Sequence, residues 1–288
     1  MRRSLRIEHA SQRGSGLIEL LFAVVLIGVV MVAVFAFLFR TSDESRRVSG
    51  MVEARQNARL AVQLLERDVR MAGSGWGRAR VISSSNGNPV ELYGINPGFV
   101  GGAGSDSIEI IGAWSDVTAL RAKMPNASAI IKGSNVKGFK ANDLCVITNG
   151  ASAHLFQVTH VAQPPGDIQH NPTSPLNVPG GFSNWPSGGY GTGASVLKID
   201  RVVYRLDTVN FRRPCLVRQE FGKPPQVTAW DVKQFTVKYR MQDGSWTRNP
   251  SSIASIDRIR PAIVMRIDKP GKPAFVDSCW AEIRPRTF

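Results

Sequence analysis

Two hydrophobic periodicities divide the chain. From Leu20 to Phe39 no polar side chain interrupts twenty residues, counting Gly28. At 1.5 Å of rise per residue such a run makes a helix of about 30 Å, the thickness of a bilayer's hydrocarbon core. Beyond Asp43 the apolar positions fall at steps of three and four: Met51, Ala54, Ala58, Ala61, Leu65 and Ala72, with Leu64 and Val69 beside them. That spacing predicts an amphipathic helix. Asp43 with Arg47, and Glu66 with Arg70, place an acid four residues before a base, the favourable order on a helix. Gly50 marks a bend and Gly73-Ser74-Gly75 a stop. The two stretches are expected to run on as one rod, residues 15–40 its membrane-spanning or core-forming half and 41–75 an amphipathic continuation that packs a stripe on a β domain.

After Gly75 the pattern becomes strand-like. The runs 106–114, 143–150, 154–162, 195–206, 215–221, 232–241 and 259–268 are rich in Val, Ile, Phe and Tyr, and Gly, Pro, Asn and Asp bound them. They predict hairpin-connected antiparallel sheet over residues 76–288. His154 and His160, six apart in one run, would share a face. Residues 163–194 hold six Pro and seven Gly and read as a long loop. Its Phe182, Trp185 and Tyr190 either make contacts with a partner or fold back on the sheet.

Composition changes this picture little. Of 288 residues, 43% are hydrophobic and 20% charged, which suits a folded protein with a sizeable core. The net charge of +14 is more telling, because a basic surface attracts polyanions. Yet Arg212-Arg213, Lys223, Lys233, Lys238, Arg240, Arg258 and Arg260 are spread along the chain, and no nucleic-acid-binding stripe can be named from it. Cys145, Cys215 and Cys279 lie far apart without a C-x-x-C. An oxidising compartment would allow one disulfide and one spare thiol, the pairing left open, and Cys145 in "DLCVIT" also reads as a small buried residue. Neither the four His nor the scattered acids have metal-ligand spacing. "GSGWG" and "GTGAS" lack the strand–turn–helix setting of a phosphate loop, so neither an enzyme nor a cofactor is expected.

One acid resists this account. Glu19 stands at the head of the apolar run, where a charge inside a membrane costs about 2.5–3.5 kcal/mol on insertion scales. At a helix start it would gain only a few tenths to about 1 kcal/mol from the macrodipole. Ser15 and Glu19 are four apart, one too many for a capping box.

"RGSGLIELLFAVVLIGVV" resembles the N-terminus of type IV prepilins and pseudopilins. The resemblance implies a leader, residues 1–14, ending in Gly14, which prepilin peptidase removes. Ser15 becomes the N-methylated first residue, where Phe or Met is commoner. Glu19 becomes the mature fifth residue and pairs with a neighbouring subunit's new amine in the filament core. "LLERDVRMAGSGWG" (64–77) resembles the end of the long helix in PilW-like minor pilins, where L-x-x-D-x-R-x-A-G is common; Asp68, Arg70, Ala72 and Gly73 match. "GSDSIEI" (104–110), "NDLCVITNGASAHLFQVT" (142–159) and "VVYRL" (202–206) are also similar, whereas the ending "FVDSCWAEIRPRTF" departs.

The implied fold is α+β and pilin-like, a long N-terminal helix packed on an antiparallel β-sheet domain. The implied partners are prepilin peptidase, other minor and major pilins, the inner-membrane assembly platform, and membrane lipid before assembly. The implied location is the inner membrane with a periplasmic domain, then the filament. The four arginines before the span, against Arg40, Arg46 and Arg47 after it, lean to a cytoplasmic N-terminus. A minor pseudopilin of type II secretion shares every feature. A single-pass membrane-anchored periplasmic binding protein shares the span and the domain, with Glu19 incidental.

Overall fold

The computed structural model describes residues 15–76, 80–85, 88–99, 105–177, 185–269 and 272–285. The chain divides into two compact units at Glu53–Ala54, and helix α1 (Ser15–Arg70) contributes to both. The expected leader, residues 1–14, lies outside the described residues.

In the first unit α1 is the membrane-length helix, with Gly28 and Gly50 inside it and no interruption at either. Among the described residues it is the one helix long and apolar enough to span a bilayer. Arg47 pairs with Glu44 at 3.7 Å, one turn away, rather than with Asp43.

In the second unit the buried face of α1 is Ala54, Ala58, Ala61, Val62, Leu65 and Val69. Half of these residues are alanine, which lets the sheets approach the helix closely. Val62 extends the expected stripe. Glu66 and Arg70 pair at 2.6 Å on the exposed side. The chain leaves the helix through Gly73, whose φ of +69° suits glycine. The Gly73 N–H donates to the Ile111 carbonyl at 2.8 Å, and Trp114 Nε1 donates to the Met71 carbonyl at 3.1 Å. These bonds tie the helix end to the sheet and satisfy groups that a terminating helix leaves open. At Gly94 a Cβ would stand 2.3 Å from the Gly73 nitrogen, so this crossing requires glycine.

The strands are β1 (Val81–Ser85), β2 (Asn88–Leu92), β3 (Ile95–Phe99), β4 (Asp106–Gly112), β5 (Val117–Ala119), β6 (Ile131–Lys132), β7 (Leu144–Thr148), β8 (Ala153–Gln157) and β9 (His160–Ala162). Then come β10 (Asp167–Gln169), β11 (Ser195–Lys198), β12 (Asp200–Asp207), β13 (Cys215–Glu220), β14 (Gln226–Trp230), β15 (Val232–Met241), β16 (Trp246–Thr247), β17 (Ile256–Lys269) and β18 (Lys272–Trp280). Two antiparallel sheets, ordered β14-β13-β12-β4-β3 and β16-β15-β17-β18, share one core with α1. Asp106, at the start of β4, joins them: its carboxylate accepts the Val237 N–H at 2.8 Å and the Arg248 guanidinium.

Residues 113–199 leave the first of these sheets and return to it beside the exit, since Gly112 pairs with Asp200. Between those points they build a lobe with its own core, drawn from Leu120 to Val196. Its larger sheet runs β2-β1-β8-β7-β11-β5 and its smaller one β6-β10-β9. The hairpin β1–β2 joins through a parallel β1–β8 pair, a departure from the all-antiparallel expectation.

Several sequence expectations need correction. The run 195–206 is two strands in two sheets, changing over at buried Ile199. The run 154–162 also breaks, because Thr159 N–H turns to the Gln169 carbonyl at 2.8 Å. His154 is therefore buried on β8 and His160 exposed on β9; they share no strand. The segment 163–194 is not structureless: it contains β10 and a short 3-10 turn at Pro175–Asn177. Asn177 Nδ2 donates to the carbonyls of Gln157 (2.8 Å) and Asn171 (2.9 Å) and pins that turn to the sheet. Tyr190 is fully buried, and Trp185 packs edge-on to it with centroids 4.9 Å apart, so both aromatics fold back. Phe182 lies outside the described residues. Cys145, Cys215 and Cys279 sit on β7, β13 and β18, in three different sheets, as free thiols. Burial pushes the Cys145 thiol well up.

Candidate assembly site

In the first unit, Gly14 lies outside the described residues and Ser15 opens α1. No acid falls in the first helical turn. Glu19 sits four residues beyond Ser15, about 6 Å along the axis at 1.5 Å per residue. It is exposed, without an ion-pair partner among the described residues. Around and beyond it the large apolar side chains are bare, from 46% exposed at Val34 to 74% at Leu17. Each such side chain gains about 1.5–3 kcal/mol on leaving water. The helix thus needs a bilayer or other helices around it. In either setting a lone carboxylate near its head needs a cation. An amine created at Ser15 would stand one turn below Glu19 of its own chain, and equally within reach of another copy's Glu19 once helices stack.

In the second unit the same helix carries a second acid, with the opposite provision. Asp68 continues the buried stripe Ala61–Leu65–Asp68–Ala72 and is 2% exposed. Tyr204 Oη donates to its Oδ2 at 2.8 Å, Arg218 Nε donates to the same oxygen at 2.8 Å, and Arg67 Nη2 donates to Oδ1 at 3.0 Å. Burial, then the Asp68 charge, pushes the Tyr204 hydroxyl up, so it stays a donor. Burial works against the Arg218 charge, but hydrogen bonds to Glu220 and Asp68 outweigh it and raise its pKa. Lys223 and then Arg218 hold the Glu220 carboxyl below its ordinary range. Helix α1 is thus clamped to β12 and β13 by a satisfied ionic cluster.

That cluster gives a physical sense to the motif residues. Asp68 is the clamp, Arg70 faces solvent with Glu66, Ala72 is fully buried, and Gly73 makes the exit turn. Tyr204, within "VVYRL", is its partner. Arg218 went unremarked in the sequence. Its signal was there: in "CLVRQEF" it alternates with inward-facing Leu216, and a base on a core-facing position calls for a buried acid.

The other expected groups do not converge. His154 Nδ1 meets Tyr190 Oη at 2.8 Å inside the lobe. His170 bonds the Ala127 carbonyl at 2.7 Å, and its burial lowers its pKa. No cluster of His, Cys, Asp and Glu suited to a metal ion occurs among the described residues.

A protein-family model described as the prokaryotic N-terminal methylation motif matches residues 9–35, which include Gly14, Ser15 and Glu19. No curated protein matches the chain, and no solved structure does.

Proposed function

We propose that this chain, type IV pilin-like in its N-terminal signal and in its α+β architecture, is a minor pilin of the PilW-like kind. The signal implies processing by prepilin peptidase and incorporation with other pilins. On this reading cleavage falls between Gly14 and Ser15, Ser15 is methylated, and the protein waits in the inner membrane, held by residues 17–39, with its domain in the periplasm. The assembly platform then draws it into a filament used for twitching or adhesion. Its work is assembly rather than catalysis.

The observation that carries this reading is the bare apolar helix with Glu19 one turn above Ser15. A plain anchor needs the apolar surface but has no use for the acid. Subunit stacking uses both, because Glu19 can neutralise another subunit's amine in a low-dielectric core and penalise helices docked out of register. The size of the domain supports a place at the filament tip or in the complex that starts assembly, since a shaft subunit repeated along a thin filament has little room for the added lobe.

Mass spectrometry of the N-terminal peptide, from membranes with and without prepilin peptidase, tests the reading. A methylated Ser15 terminus that appears only with the peptidase is the expected result. An intact leader in both samples would leave residues 17–39 as an ordinary anchor and overturn it. Deletion of the gene then separates a pilus role from type II secretion, by loss of twitching or loss of exoprotein export.

A further inference from the structure

The outer face of the sheet β16-β15-β17-β18 gathers the basic residues that look scattered in sequence. Strand register sets Lys238 directly opposite Arg260, and Arg240 directly opposite Arg258. Like charges at such positions repel, and sheets avoid them. The bridge between Ile259 and Ile283 brings Arg284 alongside. Two carboxylates serve four of these five cations. Glu282 accepts from Arg258 Nη1 at 2.9 Å and from Arg260 Nη2 at 2.8 Å. Asp257 lies 3.5 to 3.9 Å from Arg240, Arg258 and Arg284, too far for good hydrogen bonds. Lys238 is exposed and has no partner among the described residues. The Nε atoms of Arg258 and Arg260 are buried without a hydrogen bond.

Two indoles stand in this field. The Arg260 guanidinium lies 4.1 Å from the Trp246 ring centre and 5.2 Å from that of Trp280. Trp280 is 58% exposed, so much of its surface remains open to a further flat group.

We infer that this face binds single-stranded nucleic acid. Surplus cations in two rows fit a phosphate backbone, and an exposed indole beside them fits an unpaired base, the combination that holds single strands without reading sequence. A protein partner fits less well, because the cores of protein interfaces are depleted in charge. The inference does not depend on which filament the chain joins.

The test uses the full chain in detergent, with fluorescence anisotropy of an oligothymidylate about 20 nucleotides long, over a range of salt. Binding should weaken with salt at a logarithmic slope of about −0.7 for each phosphate contacted. The double variant Lys238→Gln/Arg240→Gln should lose at least about tenfold in affinity and make the slope shallower by about 1.4. Trp280→Ala should lose about tenfold for the oligonucleotide and nothing for polyglutamate, which has charge but no bases. Thermal melting of each variant shows whether the fold is kept, and Trp280→Phe, which keeps a stacking face, should restore most of the affinity. No binding at low salt overturns the inference. So does equal binding of polyglutamate with Trp280→Ala without effect, which would make the face a dock for an acidic protein.

Discussion

Between Leu17 and Phe39, α1 presents Leu, Val, Ile and Phe on every side, and all are exposed. Between Ala54 and Val69 its buried positions lie on one side and include Ala54, Ala58 and Ala61. The two stretches also treat an acid differently. Glu19 has no ion-pair partner among the described residues, whereas Asp68 accepts from Tyr204, Arg218 and Arg67. Bulky side chains all round a helix suit surroundings that deform to meet them, such as lipid tails or other helices. Small residues on one side suit a fixed sheet of the same chain, where each added methylene meets a wall. An acid left open asks for a partner from outside; an acid closed off asks for nothing more.

The largest expected effect comes from removing the open acid. Glu19→Ala should cut incorporation into filaments by about a hundredfold, since a neighbour's amine would be buried unpaired. Leader removal and the folding of the domain should be unchanged; immunoblots of sheared filaments against total membranes measure both. If assembly persists, the distinction between the two acids collapses. Asp68→Ala should do the reverse. It should cost about 3–5 kcal/mol of domain stability by stranding Arg218, seen as a lower urea midpoint, with membrane insertion intact. Asp68→Asn, which keeps the shape and an acceptor, should cost less, about 1–3 kcal/mol. Ala61→Leu adds bulk at a fully packed contact and should cost about 1–3 kcal/mol. Val30→Leu, the same kind of enlargement in the exposed span, should move domain stability by no more than about 0.5 kcal/mol. Equal effects of the last two would erase the contrast between the helix's surroundings.

Much of this was legible in sequence where the pattern is local. The span, the alanine stripe and the Gly73 exit follow from steps of one, three and four residues, and the long strands β12, β15 and β17 from Val, Ile and Tyr. The short strands were not legible. "VISSS", "NPVEL" and "INPGF" have little alternation, and they are strands because distant partners hold them: Ile95 opposite Ile110, Val81 beside Ala153. The changeover at Ile199 hides inside a continuous apolar run, since hydrophobicity does not reveal which sheet a strand joins. The clamp was half visible. Asp68 stood in a motif, but Arg218 lies 150 residues away, and only folding sets them 2.8 Å apart. The cationic face was also half visible: Lys238 and Arg240, and Arg258 and Arg260, alternate along their own strands, but only folding sets the two pairs opposite each other.

The lobe of residues 113–199 departs from Gly112 and returns at Asp200, two positions that are already neighbours. A segment tethered in that way is topologically a handle. Its length and surface can be changed while the clamp at Asp68 stays where it is. The constraint is the short seam where Val81 and Ile82 run beside Ala153 and His154. A grafted domain that offers one matching edge to that seam would ride on the framework as the native lobe does, which makes Gly112–Asp200 a natural place to splice in a cargo.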